Sequence, residues 1–312
     1  MRKPLHYLFL YLKGLCIGAT GVLQGISGGS MSLLLGVHKD LILSIGAIDS
    51  TSLRLLLRGQ LGKFWRAING GFLVAVFAGI VTGLLTLRAI FHFYVSQYPI
   101  YISSFFFSLV IIAALLLLRK IYRWNPGVVL SIATGLALSY YITIASPIAT
   151  PDNLLFAFLA GFLAGSTFII PGVSGAFMLM FIGKYQYILT SFGSLETDVI
   201  ILFITGGILG ITVIAQFAAT LLTNYYNAIV GLFAGLMIGS LNKIWPWRQV
   251  YEYATTIQGE RIPAFDKSIL PWRYLEITGK DPQLFYAILM MALGVFSVVL
   301  IEKVAARLKT RS

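Results

Sequence analysis

The chain has 312 residues, of which 58% are hydrophobic and 11% charged, against about 25% charged in soluble domains. So few charges cannot cover a water-facing surface of this size, which excludes a cytosolic enzyme, a secreted disulfide scaffold and a disordered regulator, and leaves lipid as the main solvent. The net charge of +12 fits basic residues flanking membrane spans, not nucleic-acid binding.

In chain order, Arg2 and Lys3 precede the first apolar stretch, Leu5–Ile45. Lys13 interrupts it and no small-x-small site follows, so it does not read as a cleavable signal peptide. Its Cys16 is the chain's single cysteine, forms no internal disulfide and is expected in the core. Glycines and serines break this stretch in the middle. Three spans of sufficient length follow: Trp65–Leu87, Pro99–Leu118 and Pro126–Ala145. Leu154–Phe192 is a second apolar stretch broken by glycine, serine and proline. Val199–Leu221, Tyr226–Leu241 and Leu284–Ile301 complete the spans, and residues 245–283 form the one sizeable extramembrane loop. His6, His38 and His92 are scattered without metal-ligand spacing, so no metal and no cofactor are expected.

Basic residues orient these segments. Arg2, Lys3, Arg54, Arg58, Lys63 and Arg66 fall on one side, followed by Arg119, Lys120 and Arg123, and finally Lys303, Arg307, Lys309 and Arg311. That side is cytoplasmic and holds both termini. Arg88, Asp152, Glu196, Asp198 and the 245–283 loop, with Glu252, Glu260, Asp266, Glu276 and Asp281, fall outside.

Displaced by 147 positions, the chain matches itself. Gly14, Gly18, Thr20, Gly25, Ser27, Gly28, Met31, Gly36 and Ser44 meet Gly161, Gly165, Thr167, Gly172, Ser174, Gly175, Met178, Gly183 and Ser191, nine identities in 32 positions. The downstream triplets Asn69-Gly70-Gly71 and Thr205-Gly206-Gly207 also look alike. The pattern reads as a duplication into residues 1–150 and 151–312. Each copy has a broken, re-entrant hairpin (residues 5–45 and 154–192) and three transmembrane helices. Three spans separate the hairpins, so the second copy is inverted. The fold class is an all-α polytopic membrane protein with inverted repeats, an arrangement typical of secondary transporters.

A Gly-Ser-Gly break frees backbone N–H groups inside the membrane, where each unpaired group costs several kcal/mol. Helix starts there suit an anion. The competing reading is that small residues merely let helices pack closely. Its weight falls when both copies carry the break.

Gly25-Ile26-Ser27-Gly28-Gly29-Ser30 with Leu35-Gly36-Val37-His38, and Pro171-Gly172-Val173-Ser174-Gly175 with Ile182-Gly183-Lys184-Tyr185, resemble the paired signatures of the bacterial polyprenyl-phosphate transporter family. Leu241–Trp247 is also similar to that family, and the resemblance covers nearly the whole chain. Gln24, Ser30 and His38 stand where the family has proline, threonine and tyrosine; serine keeps the hydroxyl. The resemblance implies a flippase returning undecaprenyl phosphate from the outer to the inner leaflet of the bacterial cytoplasmic membrane, for reuse in envelope and peptidoglycan synthesis.

Such a substrate has an anionic head and an apolar tail that stays among membrane lipids, so the protein must shelter only the head. Candidate contacts are Gly25, Ser27, Gly28, Gly29, Ser30, Gly172, Ser174 and Gly175, with Lys39, Arg54, Arg58 and Lys184 as cations and Arg88 as a further one. Each lysine could instead snorkel to an interface, and the arginines could serve only to set topology. No ATP-binding fingerprint occurs. Inward movement of an anion runs against the membrane potential by ~2.3 kcal/mol per charge per 100 mV, which co-transported protons or cations would offset. A small-anion or solute secondary transporter is an alternative. A membrane polyprenyl-pyrophosphate phosphatase is a weaker one, because neither motif places Asp, Glu or His beside its Ser-Gly core as acid–base chemistry requires. No catalytic residue is assigned.

Overall fold

Glycine and proline punctuation decides where the helices stop in the computed structural model, which describes residues 4–20, 27–255 and 261–309. Helix α1 (Pro4–Thr20) is followed beyond the undescribed residues 21–26 by two short helices, α2 (Gly28–Leu34) and α3 (His38–Gly46). The second broken stretch gives α9 (Leu154–Ser166), α10 (Gly175–Phe181) and α11 (Tyr185–Gly193). Both short helices end alike. Gly36 and Gly183 take left-handed φ of 71° and 66°. Val37 N–H and Lys184 N–H then return to the carbonyls of Ser32 (2.9 Å) and Leu179 (2.8 Å), a Schellman closure.

Between these stretches lie α4 (Ser50–Leu57), α5 (Leu61–Ala67), α6 (Gly70–Gln97), α7 (Pro99–Leu118) and α8 (Pro126–Ile144). After them come α12 (Thr197–Asn224), α13 (Tyr226–Ile244), α14 (Pro271–Thr278) and α15 (Leu284–Lys309). Asp49 caps α4 by accepting Ser52 N–H at 2.7 Å. Asn125 and Asn153 cap α8 and α9 in the same manner, at 2.9 and 3.0 Å. By length and hydropathy, α7, α8, α12 and α13 can each cross a bilayer, and the bent pair α5–α6 adds a fifth candidate. Shorter apolar helices, Leu5–Thr20, Leu154–Ser166 and Leu284–Leu300, accompany them. The molecule is a helical, multi-pass membrane protein.

α7 and α13 are the inner spans, with 50% and 67% of their apolar windows buried, against 17% for α8 and 22% for α12. Ile201, Ile204, Ile208, Val213 and Phe217 of α12 stand exposed, an apolar surface that suits contact with lipid. The core runs through Ile42, Val76, Ala215, Ala234 and Met237, all fully buried.

Helix pairs close on glycine. α1 lies along α6 with Gly14 and Gly18 against the carbonyls of Val76 and Ile80, and α9 lies along α12 with Gly161 and Gly165 against those of Phe203 and Gly207. From the other side, Gly79 meets Tyr11 and Leu15, and Gly206 meets Phe158 and Phe162. The two series also agree in length: α2 and α10 have 7 residues each, α3 and α11 have 9, α6 and α12 have 28.

Four sequence expectations change. The register of the long helices pairs Gly79 with Gly206, not Asn69-Gly70-Gly71 with Thr205-Gly206-Gly207. The first triplet sits at the α5–α6 bend, 68°, where Asn69 has φ 50°; the second lies inside α12. The first long span starts at Gly70 and reaches Gln97, because Trp65 belongs to α5 and folds back over Gly70. Cys16 is exposed rather than in the core, since α1 turns its Gly14/Gly18 face to α6 and Cys16 away from it. Residues 245–283 are more than a loop: β1 (Arg248–Thr255) and β2 (Arg261–Ser268) pair antiparallel, Arg248 opposite Ser268 and Val250 opposite Asp266, with a register shift after Val250.

Candidate functional site

The two broken stretches touch. Ser27, with extended backbone, caps α2 by accepting Ser30 N–H at 3.0 Å, and the two hydroxyls lie 3.0 Å apart. Past α9 the chain makes tight turns, Ile169 N–H to Ser166 O at 3.1 Å. Pro171 and then Gly172, at φ 88°, bring the backbone to the first break. Gly172 N–H donates to Ser30 Oγ at 2.9 Å and to Ser27 Oγ at 3.1 Å. Residues some 145 positions apart thus share one polar junction inside apolar walls. Gly29 lies against Phe168, Ile170 and Pro171, and Gly28 against the Phe168 ring and Ile17. A Cβ on Gly172 would stand 2.7 Å from Leu236 O of α13, so only glycine fits.

Ser174 lies two residues beyond Gly172, is buried, and caps α10 by accepting Phe177 N–H at 3.3 Å. Gly175 packs against Ala164 O and Thr167 Oγ1 of the α9 end. Within its own helix each cap serine satisfies one N–H, that of Ser30 or Phe177. The first two N–H groups of α2 and α10, those of Gly28, Gly29, Gly175 and Ala176, have no acceptor within their own helix. Gly25 lies outside the described residues, as does the side chain of Arg88.

The four candidate cations lie elsewhere. Lys184 is fully buried, but its ammonium donates to Thr150 O at 2.5 Å and pairs with Asp152, with the Tyr187 ring 5.4 Å away. Its charge is neutralised locally. Lys39 is exposed, 5.9 Å from the Tyr226 ring. Arg54 on α4 and Arg58 just past its end are exposed. Close to the first break, His38 is buried with Nδ1 2.6 Å from Ser32 Oγ, which itself donates to Gly29 O. His38 Nε2 has no hydrogen-bond partner among the described residues.

Sequence reasoning missed a different cationic group. Lys243, at the end of α13, pairs with Asp266 of β2 at 2.6 Å, and Arg248 of β1 grips the same carboxylate at 2.5 and 2.9 Å. All three side chains are largely buried, 6%, 9% and 13% exposed. Burial works against the Asp266 charge, but the Arg248 hydrogen bonds and the Lys243 and Arg248 charges outweigh it and hold the carboxyl below its ordinary range. It is therefore ionised at neutral pH. The Lys243 ammonium also stands over the Phe177 ring of α10 at 4.9 Å. The one sequence signal was the Leu241–Trp247 segment; nothing along the chain links it to Asp266.

The family described as "Undecaprenyl phosphate translocase-like" matches residues 17–262. A Vibrio cholerae protein named polyprenyl-phosphate transporter is 31% identical over 305 residues, 98% of this chain and 99% of its own length. A Staphylococcus aureus protein of the same name is 27% identical over 257 residues, 75% of this chain and 85% of its own. No solved structure matches the chain. The family and both relatives are named for transport, not for a reaction, so the chain is a transporter rather than an enzyme.

Proposed function

The chain belongs to the undecaprenyl phosphate translocase-like family, and from that premise we propose that it moves undecaprenyl phosphate, or a closely related polyprenyl phosphate, from the outer to the inner leaflet of the bacterial cytoplasmic membrane. The observation that carries this reading is the Gly172 N–H donated to both Ser27 and Ser30 hydroxyls. Two helical breaks on one polar junction are what a transporter needs to pass a small head group while the tail remains in lipid. At the junction the Ser27 and Ser30 hydroxyls already take up the Gly172 N–H. Separating the two breaks frees the Ser27 and Ser30 hydroxyls and the Gly172 N–H for a phosphate.

The proposed frame is an inverted duplication, residues 1–150 and 151–312, supported by the repeated helix lengths and glycine contacts. Each half opens the junction to its own side, and both termini are cytoplasmic. The lipid so returned re-enters envelope synthesis. A proton or cation moving with the lipid offsets the ~2.3 kcal/mol per charge per 100 mV opposing inward movement of an anion.

Orientation is tested by labelling intact cells with a membrane-impermeant thiol reagent, in a Cys16→Ala background carrying either Arg58→Cys or Lys280→Cys. Both positions are exposed. Lys280→Cys is expected to label in intact cells and Arg58→Cys only after permeabilisation. A Lys280→Cys protein silent until permeabilisation contradicts the inverted arrangement.

A further inference from the structure

We propose that Lys243 and Arg248 form the capture site for the phosphate head of the lipid on the hairpin-bearing face, and that Asp266 is the resident anion which the phosphate displaces. This rests on the transport reading above and assigns the residues with which the lipid is first held. Two cations share one carboxylate in a buried setting, so the cluster keeps an excess positive charge. A buried charge without full compensation is costly, and a phosphomonoester dianion would balance it better than Asp266 does. The planar Arg248 fork already binds a carboxylate through two nitrogens, the geometry that also suits phosphate.

Neutral donors surround the cations. Ser268 Oγ lies 2.9 Å from Arg248 and 2.9 Å from Asn242 Oδ1, while Asn242 Nδ2 donates to Thr143 at 2.9 Å. On one side of the cluster a cavity of about 270 Å³ is lined by Phe107, Leu241, Asn242, Trp245, Ser268 and Leu270, among others. Its mixed apolar and polar wall suits the first isoprene unit beside a head group. On the other side a space of about 20 Å³ lies between Lys243, Asp266 and Phe177 of α10, room for little more than a water. Phosphate therefore enters when the Asp266 carboxylate leaves Lys243. That same movement uncovers Phe177, whose N–H is held by Ser174 of the second break. Capture and the route to the junction are thus adjacent. Lys243 fills the cationic role that the sequence assigned to Lys184.

The test uses the full-length protein in nanodiscs, as wild type, Lys243→Gln, Lys243→Arg and Asp266→Asn. Each is titrated with undecaprenyl phosphate, undecaprenol and inorganic phosphate, following binding and melting temperature. Undecaprenyl phosphate is expected to bind Lys243→Gln about tenfold or more weaker than wild type, Lys243→Arg nearly normally, and Asp266→Asn more tightly. Asp266→Asn should melt early without ligand and be rescued by undecaprenyl phosphate but not by undecaprenol. Should Lys243→Gln fail to fold, Asp266→Asn decides alone, and unchanged or weaker binding there overturns the assignment. Equal rescue by inorganic phosphate overturns the lipid as the occupant. Equal affinities in all four proteins, while wild type still exchanges the lipid between leaflets, overturn this inference and leave the transport reading standing. Absence of exchange by wild type removes both.

Discussion

Replacing Gly172 by alanine is expected to abolish most transport and to lower thermal stability. Its φ of 88° lies in the left-handed region, which costs an L-residue about 1–2 kcal/mol. The new Cβ would also lie 2.7 Å from Leu236 O and 3.0 Å from Met237 N, backbone atoms of an inner span that cannot swing aside. Overpacking of this kind adds about 1–3 kcal/mol. Any shift that relieves the clash pulls the Gly172 N–H from Ser27 and Ser30, so the junction is lost whichever way the strain resolves. Gly279→Ala is the internal control. It has φ 68° but nothing within 4 Å of the added Cβ, so it should show the backbone cost alone and exchange lipid normally. Similar losses in the two variants would mean that backbone strain, not the junction, sets the effect.

The second large effect is expected at the glycine seams. Leucine at Gly14 would begin with a Cβ 2.1 Å from Val76 O, and leucine at Gly161 with one 2.0 Å from Phe203 O. The partner atoms are helix backbone, so α1 must leave α6, or α9 must leave α12, forfeiting the close contact on which helices in lipid depend. Either variant should insert, yet lose its melting transition or melt far below wild type in mild detergent. Gly62→Leu, on α5 with open space around it, should behave as wild type. If Gly14→Leu and Gly161→Leu differ sharply from each other, the two halves are not built on the same seam.

Much of the fold was legible because membrane spans obey one strong rule, apolar length, and α7 begins and ends where the sequence put it. The breaks were legible because Gly-Ser-Gly recurs at matched positions. Their meeting was not, since it depends on a hydrogen bond between Gly172 and serines some 145 positions away. Lys184 misled. A lysine beside a glycine break reads as a free cation, but its partner Asp152 lies on the segment after α8, at no recognisable spacing. Lys243 was hidden for the opposite reason: at the end of an apolar span it looks like an interface anchor, and only the pairing of β1 with β2 brings Asp266 onto it. The hairpin was obscured by the Gly-, Pro- and charge-containing run of residues 256–281, which reads as a loop.

The central claim, that this protein carries a polyprenyl phosphate across the bilayer intact, is tested most directly in proteoliposomes. Leaflet exchange of labelled undecaprenyl phosphate is followed under imposed proton and cation gradients, with free phosphate assayed in parallel. Exchange well above that of empty liposomes, sensitive to Gly172→Ala and without phosphate release, is the predicted result. Exchange no faster than in empty liposomes under every gradient, or release of phosphate in step with lipid consumption, would contradict it.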